Sequence, residues 1–376
     1  MVTQSTAASV LQRLRAHMTE HGLQVCVVSL PIHVGYLCGY FPPANRFAAL
    51  LVTAAEATLV APSSGAPAPT ADPSFALCAY EDYAIARTVD PAADSLAAFD
   101  EALRALRSGA PRLGWEPAYL PAAYGDRVRA VLSPALAEDV SPLLQAWRAI
   151  KTPAEVQAIA RAVAATDDIF AAVERSIHVG SSELDVYVAA VGALTRAAGG
   201  PAVLDGDFVS GPRAEQIGGP PTERRLEPGD LLIVDVYPAI AGYWADTTRT
   251  FSVGTPSQAV VDRHGVLEDA LAAGERAIAA GLPARELYNV VKGVIERAGY
   301  GAHFPHHAGH CVGVTPSEDP RLIPGSDAVL QEGMVITLEP GIYLPGGGGM
   351  RLEDNYLVTA DGCRSLSHYP RKLVVI

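Results

Sequence analysis

The stretch LLIVDVYPAIAGYWADTTRTF, residues 231–251, decides the fold of this chain. Its first part (231–237) is apolar and β-branched, PAIAG interrupts, and residues 243–251 resume a strand-like pattern, so the whole reads as a hairpin. A centre between Ile240 and Ala241 sets Asp235 opposite Asp246. Directly opposed residues share a sheet face with Cβ atoms roughly 4.5–5.5 Å apart, and like charges there are destabilising unless something lies between them.

Further along, MVITLEPGIYL (334–344), a glycine turn about Gly346 and MRLEDNYLV (350–358) repeat the device, and the same count sets Glu339 opposite Glu353. One facing acid pair can be a solvated edge. Two pairs inside apolar strands need neutralising, because buried ionised carboxylates are penalised unless paired or metal-bound. The nearby cations, Arg249 and Arg351, are too few for four acids. Two divalent ions would balance four carboxylates, with an imidazole completing the set. Four of the ten histidines fall in GAHFPHHAGHCVG (301–313): His303, His306, His307 and His310. Oxygen-rich ligation with one imidazole suits Mn, Co, Fe or Zn, and Cys311 reads as packing. Arg351, two residues before Glu353, shares its strand face and is a candidate contact for the site or for a substrate carboxylate. Arg213 is a second candidate for an anionic substrate group.

In this order and at these separations, LLIVDVYPAIAGYWADTTRTF, HHAGHCVG, ITLEPGIYL and MRLEDNYLVT resemble the pita-bread metallopeptidases of peptidase family M24, the superfamily of methionine aminopeptidase, aminopeptidase P, prolidase and creatinase. QAWRAIKTPAEVQAI (145–159) is similar to the start of the prolidase-like catalytic domain, and LRAHMTEHGLQVCVVSLPIHVGYLCGYFP (14–42) to the creatinase-type N-terminal domain. The resemblance implies an α+β chain with a smaller N-terminal creatinase-like α/β domain over 1–143 and a pita-bread catalytic domain over 144–376 that carries a dinuclear metal site. It implies Asp235, Asp246, His310, Glu339 and Glu353 as ligands of two divalent ions, manganese favoured. Asp246 and Glu353 would bridge, Asp235 would hold mainly one ion, and His310 and Glu339 the other. A water or hydroxide between two such ions is a nucleophile near neutral pH. Glu339 would also handle its proton, and His306 matches a histidine of the prolidase branch and joins the catalytic candidates.

Two departures concern the substrate side. Peptidases of this superfamily usually carry histidines where this chain has Gly218 and Ser317, so both positions are marked as substrate contacts. The function implied is an Xaa-Pro aminopeptidase or prolidase acting on a small peptide. The alternative is a creatinase-like or specialised-metabolite C–N hydrolase acting on a small non-peptide molecule. The resemblance further implies a homodimer.

The net charge of −13 and pI near 5.2, with no basic patch, argue against nucleic acid as a main partner. Five cysteines, odd in number and irregularly spaced, point to a reduced compartment. No secretory leader is evident in the first thirty residues and no apolar run reaches membrane-spanning length, so a cytoplasmic protein without a membrane segment is expected. Helical patterns at 8–22 and 94–109 alternate with short apolar strands at 25–30, 47–62 and 112–117, and SSGAPAPTADP (63–73) reads as a surface loop. Thr152, Pro153 and Glu155 announce a helix start. Two more helices, at 182–199 and 284–299, end at glycine. The paired hairpins hint at an internal pseudo-two-fold.

Overall fold

The computed structural model describes residues 4–65, 75–106 and 109–376. It divides into two compact units, Met1–Ala146 and Trp147–Ile376. The N-terminal unit is built on a six-stranded mixed sheet, in spatial order Phe75–Tyr80, Ala57–Pro62, Ala49–Val52, Val25–Val28, Arg112–Trp115 and Leu136–Asp139. Val25–Val28 and Ala49–Val52 are buried throughout. Strands covered on both faces read as unbroken apolar runs, which is why the sequence shows them. The run at 47–62 is two strands rather than one. Glu56 N–H donates to Thr53 Oγ1 and Thr53 N–H to the Glu56 carbonyl, closing a tight hairpin between them. Of the loop expected at 63–73, residues 66–73 lie outside the described residues.

In the C-terminal unit an antiparallel helix pair followed by strands occurs twice. The first pair, Pro153–Ser176 and Glu183–Ala198, is delimited by local chemistry. Thr152 Oγ1 accepts from Glu155 N–H while the Glu155 carboxylate accepts from Thr152 N–H, with Pro153 at the first helical position; Ser182 and Asp185 repeat this reciprocal cap. Gly199 ends the second helix at φ 71°.

The second pair is Gln258–Ala277 and Ala284–Arg297. Sequence reading misses Gln258–Ala277, because its buried face holds Arg263, His264 and Gly274 beside Leu267, Ala270 and Leu271, and the apolar period is blurred. Gly274 is required where it stands: a Cβ there would lie 2.7 Å from Leu338 Cδ1. This close approach seats the helix on Val335–Leu338, the strand that leads into Glu339.

One five-stranded sheet orders Val203–Ser210, Leu231–Ile240, Thr247–Ser252 and Val374–Val375, with Tyr243–Trp244 paired to the end of Leu231–Ile240. The other orders Glu318–Arg321, His310–Cys311, Val335–Leu338, Asp354–Val358 and Cys363–Ser365, while Gly341–Leu344 and Gly348–Arg351 form a separate ribbon. The two are stitched together at Thr248, whose carbonyl accepts from Glu353 N–H at 3.1 Å. Among the described residues no helix is long and apolar enough to cross a membrane.

Candidate metal centre

Asp235 sits midway along Leu231–Ile240, a strand paired on both sides. The hairpin does not turn where the sequence suggests. The strand continues through Pro238 to Ile240, and the turn is Ala241-Gly242, at φ 53° and 85°. Two left-handed residues in succession are what a two-residue hairpin loop needs, and alanine is an uncommon first member. Moving the centre by one residue moves the register by two, so Thr248, not Asp246, stands opposite Asp235. A shift of two keeps the face. Asp246 therefore still joins Asp235, from a break between Tyr243–Trp244 and Thr247–Ser252. There Asn355 holds its backbone, Nδ2 donating to the Asp246 carbonyl at 2.6 Å and Oδ1 accepting from Asp246 N–H at 3.4 Å.

The second hairpin keeps the counted register. Gly341 pairs with Arg351 and Leu338 with Asp354, and Leu352 N–H donates to the Pro340 carbonyl, so Glu339 and Glu353 face each other where the ribbon leaves the sheet. His310 opens its own short strand. Its Nδ1–H donates to the Cys311 carbonyl at 2.9 Å, which fixes the tautomer and leaves the Nε2 lone pair 3.4 Å from Asp246 Oδ2 and 3.6 Å from Glu339 Oε1. Ligating atoms of Asp246, His310 and Glu353 lie within 4.8 Å of one another.

All five side chains are buried: Asp235, Asp246, His310, Glu339 and Glu353 are 1–7 % exposed. Burial, then Asp235 and Glu339, raise the Asp246 carboxyl well above its ordinary range; burial, then Asp246, Glu339 and Asp235, do the same for Glu353. Glu339 goes the other way. Burial alone would raise it, but His307, His306 and His310 together outweigh burial and pull it down to about 2. Four buried acceptors, Asp235 Oδ1, Asp246 Oδ1, Glu339 Oε1 and Glu353 Oε1, have no hydrogen-bond partner among the described residues. Buried polar atoms are seldom left so, and orphaned oxygens converging beside a preset imidazole nitrogen fit a divalent metal centre. Arg249 does not neutralise them: it is tied to Asp354 and to the Glu353, Tyr369 and Pro370 carbonyls. Burial pushes the Cys311 thiol up to about 12, so it stays protonated.

A cavity of about 260 Å³ opens on this cluster. Ser317 lines it and Gly218 does not: the space a side chain at 218 would enter is filled by the Asp207 carboxylate, which does line the cavity. Arg351 is buried with all five N–H groups engaged, by Asp235, Asp207, Tyr343 Oη, Thr248 Oγ1 and the Ile217 carbonyl, so it orients Asp235 and has no donor left for a substrate. Arg213 pairs with Glu183 and the Pro220 carbonyl, away from the cavity lining. Burial pushes His306 down to about 4, hence neutral; its Nδ1–H donates to the His307 carbonyl at 2.7 Å, and its Nε2 accepts from Tyr343 Oη at 3.1 Å.

Sequence reading misses six further wall residues: Asp207, Ile217, Tyr237, His307, Pro316 and Arg321. Tyr237 had a signal, lying two residues beyond Asp235 and so on the same face; its hydroxyl donates to Asp235 Oδ2 at 2.9 Å. Arg321 is exposed at the cavity, cross-strand from His310.

Residues 157–360, more than half of the chain, match the model of metallopeptidase family M24. The chain belongs to metallopeptidase family M24. Its residues 11–150 match the creatinase/prolidase N-terminal domain. It is 35 % identical over 242 residues to the Mycobacterium tuberculosis protein named "Probable dipeptidase PepE", a match that spans 64 % of this chain and 64 % of that relative's length. It is 34 % identical over 238 residues to the Xaa-Pro dipeptidase of Pyrococcus furiosus, covering 62 % of this chain and 68 % of that one. The solved structure of an Xaa-Pro dipeptidase from Bacillus anthracis superposes with a TM-score of 0.82 at 26 % identity, covering 98 % of this chain and 100 % of the other. The fold expected from the sequence, an M24 pita-bread unit preceded by a smaller creatinase-like domain, is the one present.

Proposed function

We propose that this M24 chain is a dinuclear metal-dependent dipeptidase that cleaves Xaa-Pro dipeptides. The observation that carries the reading is the set of four orphaned carboxylate oxygens gathered with His310 Nε2 at the end of a small cavity whose wall carries Arg321. The named relatives support the substrate class. Two divalent cations held by Asp235, Asp246, His310, Glu339 and Glu353, manganese favoured, would lower the pKa of a water and polarise the scissile carbonyl.

The chain's own groups do the rest. Glu339, through the carboxylate oxygen its ion leaves free, takes the proton released by the attacking water. His306, neutral and locked between the His307 carbonyl and Tyr343 Oη, faces Glu339 with its Nδ1 3.7 Å from Oε2 and fixes the position of that carboxylate before the proton arrives. Arg351 holds Asp235 in place through Nη2, which donates to both Asp235 and Asp207. Arg321 pairs with the free C-terminal carboxylate of a dipeptide, and Ser317 occupies a wall where other members carry an imidazole.

The test is turnover of Xaa-Pro dipeptides, Xaa-Pro tripeptides and dipeptide amides by the Mn²⁺-loaded chain, with Asp246→Ala as the control. Dipeptides are expected to be the best substrates and the variant to be inactive. Metal uptake without turnover of any peptide would overturn the reading in favour of a non-peptide C–N bond.

A further inference from the structure

We propose that His307 is an additional ligand of the metal centre, its Nδ1 joining His310 Nε2 and Glu339 on the same ion. This rests on the metal-centre reading above and adds a second imidazole to it. His307 Nδ1 is buried and has no hydrogen-bond partner, and the atom it faces, Glu339 Oε1 at 3.0 Å, has none either. Two buried atoms that meet only each other at that distance, in a group of His306, His307 and Glu339 whose ligating atoms lie within 4.8 Å of one another, are a pair that an ion between them would satisfy. Metal–nitrogen and metal–oxygen bonds of about 2.1 Å at a right angle put the two donor atoms about 3.0 Å apart.

The segment that carries His307 is held firmly. His306 donates to the His307 carbonyl at 2.7 Å. Gly309, at φ 149°, lies so close to the next strand that a Cβ would meet the Thr337 carbonyl oxygen at 2.0 Å. Only glycine permits that approach. The backbone is thus fixed on either side of Ala308, and His307 and His310, their rings 5.4 Å apart with 73° between planes, both face Glu339 Oε1, at 3.0 and 3.6 Å.

The chemical consequence is a change of metal preference. A second imidazole moves the donor set from oxygen-rich toward mixed nitrogen and oxygen, which favours Co²⁺, Fe²⁺ and Zn²⁺ over Mn²⁺ more than five ligands with one histidine would. The two imidazoles also belong to one ion, so the loss of His307 should weaken one site and leave the other.

The test is the hyperfine-shifted proton NMR spectrum of the full chain loaded with Co²⁺ alone, together with Co²⁺ titrations of the unaltered protein, His307→Gln and His310→Gln. Ring signals from two histidines are expected for the unaltered chain and from one for each variant, with the affinity of one of two sites falling at least tenfold in His307→Gln. Circular dichroism establishes that each variant is folded. Two Co²⁺ ions bound with ring signals from a single histidine, unchanged in His307→Gln, would overturn the proposal alone. No Co²⁺ uptake by the unaltered chain would overturn the metal centre and this proposal with it.

Discussion

Asp207 and Gly218 exclude each other's side chains: a Cβ on Gly218 would lie 1.9 Å from Asp207 Oδ2 and 2.3 Å from its Cγ. The space that a side chain at 218 would take is filled by a carboxylate reaching in from strand Val203–Ser210. It is held there by Gly219 N–H at 2.9 Å and Arg351 Nη2 at 3.0 Å. Burial, then Asp235, raise the Asp207 carboxyl above its ordinary range.

The exclusion predicts strong coupling between the two positions. Gly218→Ala alone should cost about 1–3 kcal/mol, the usual penalty of overpacking. In an Asp207→Gly background the same substitution should cost far less. A double-mutant cycle by denaturant unfolding reads the coupling; additivity would mean that the contact is not a real constraint.

Arg321 should set substrate affinity rather than rate. Arg321→Ala is expected to raise KM for Xaa-Pro dipeptides about 10–100-fold, the loss of one charge-assisted pair. Little change in kcat and no change for dipeptide amides are expected with it. Equal losses on free and amidated substrates would remove Arg321 from the carboxylate role.

The raised carboxyls make a pH prediction whose sign can be worked out. In the metal-free protein Asp246 and Glu353 hold protons at pH values where the unfolded chain has released them. Their contribution to stability is full below the ordinary carboxylate range and is lost as pH rises through the raised values. His306 and His264, both pushed down to about 4 by burial, act oppositely, and their contribution is lost as pH falls from the ordinary histidine value toward 4. The carboxyl part is therefore read against Asp246→Asn. From about pH 5 to pH 8 the metal-free chain should lose Tm relative to that variant, and saturating Mn²⁺ should abolish the trend. A metal-free difference that does not change with pH would contradict the electrostatics described for the site.

Much of this centre was legible beforehand because β-structure converts counting into geometry. The second hairpin kept its register because its turn is centred on Gly346 as counted, and Glu339 met Glu353. In the first hairpin the interruption PAIAG (238–242) put the centre between Ile240 and Ala241, one residue early, so Asp235 was matched to Asp246 rather than Thr248; the period of two meant that the error cost nothing at the site. Helix Gln258–Ala277 was invisible to periodicity, because Arg263, His264 and Gly274 stand on its buried face. Asp207, His307 and Asn355 were out of reach for another reason. Each acts through a contact with a residue remote in sequence, Gly218, Glu339 and Asp246 in turn, and no local pattern encodes such a meeting.

A two-ion centre built from these side chains would be located by anomalous scattering from crystals soaked in Mn²⁺. Two peaks are predicted, one beside Asp235 and one beside His310 and Glu339, with Asp246 and Glu353 reaching both. A single peak, or peaks confined to surface carboxylates, would contradict it.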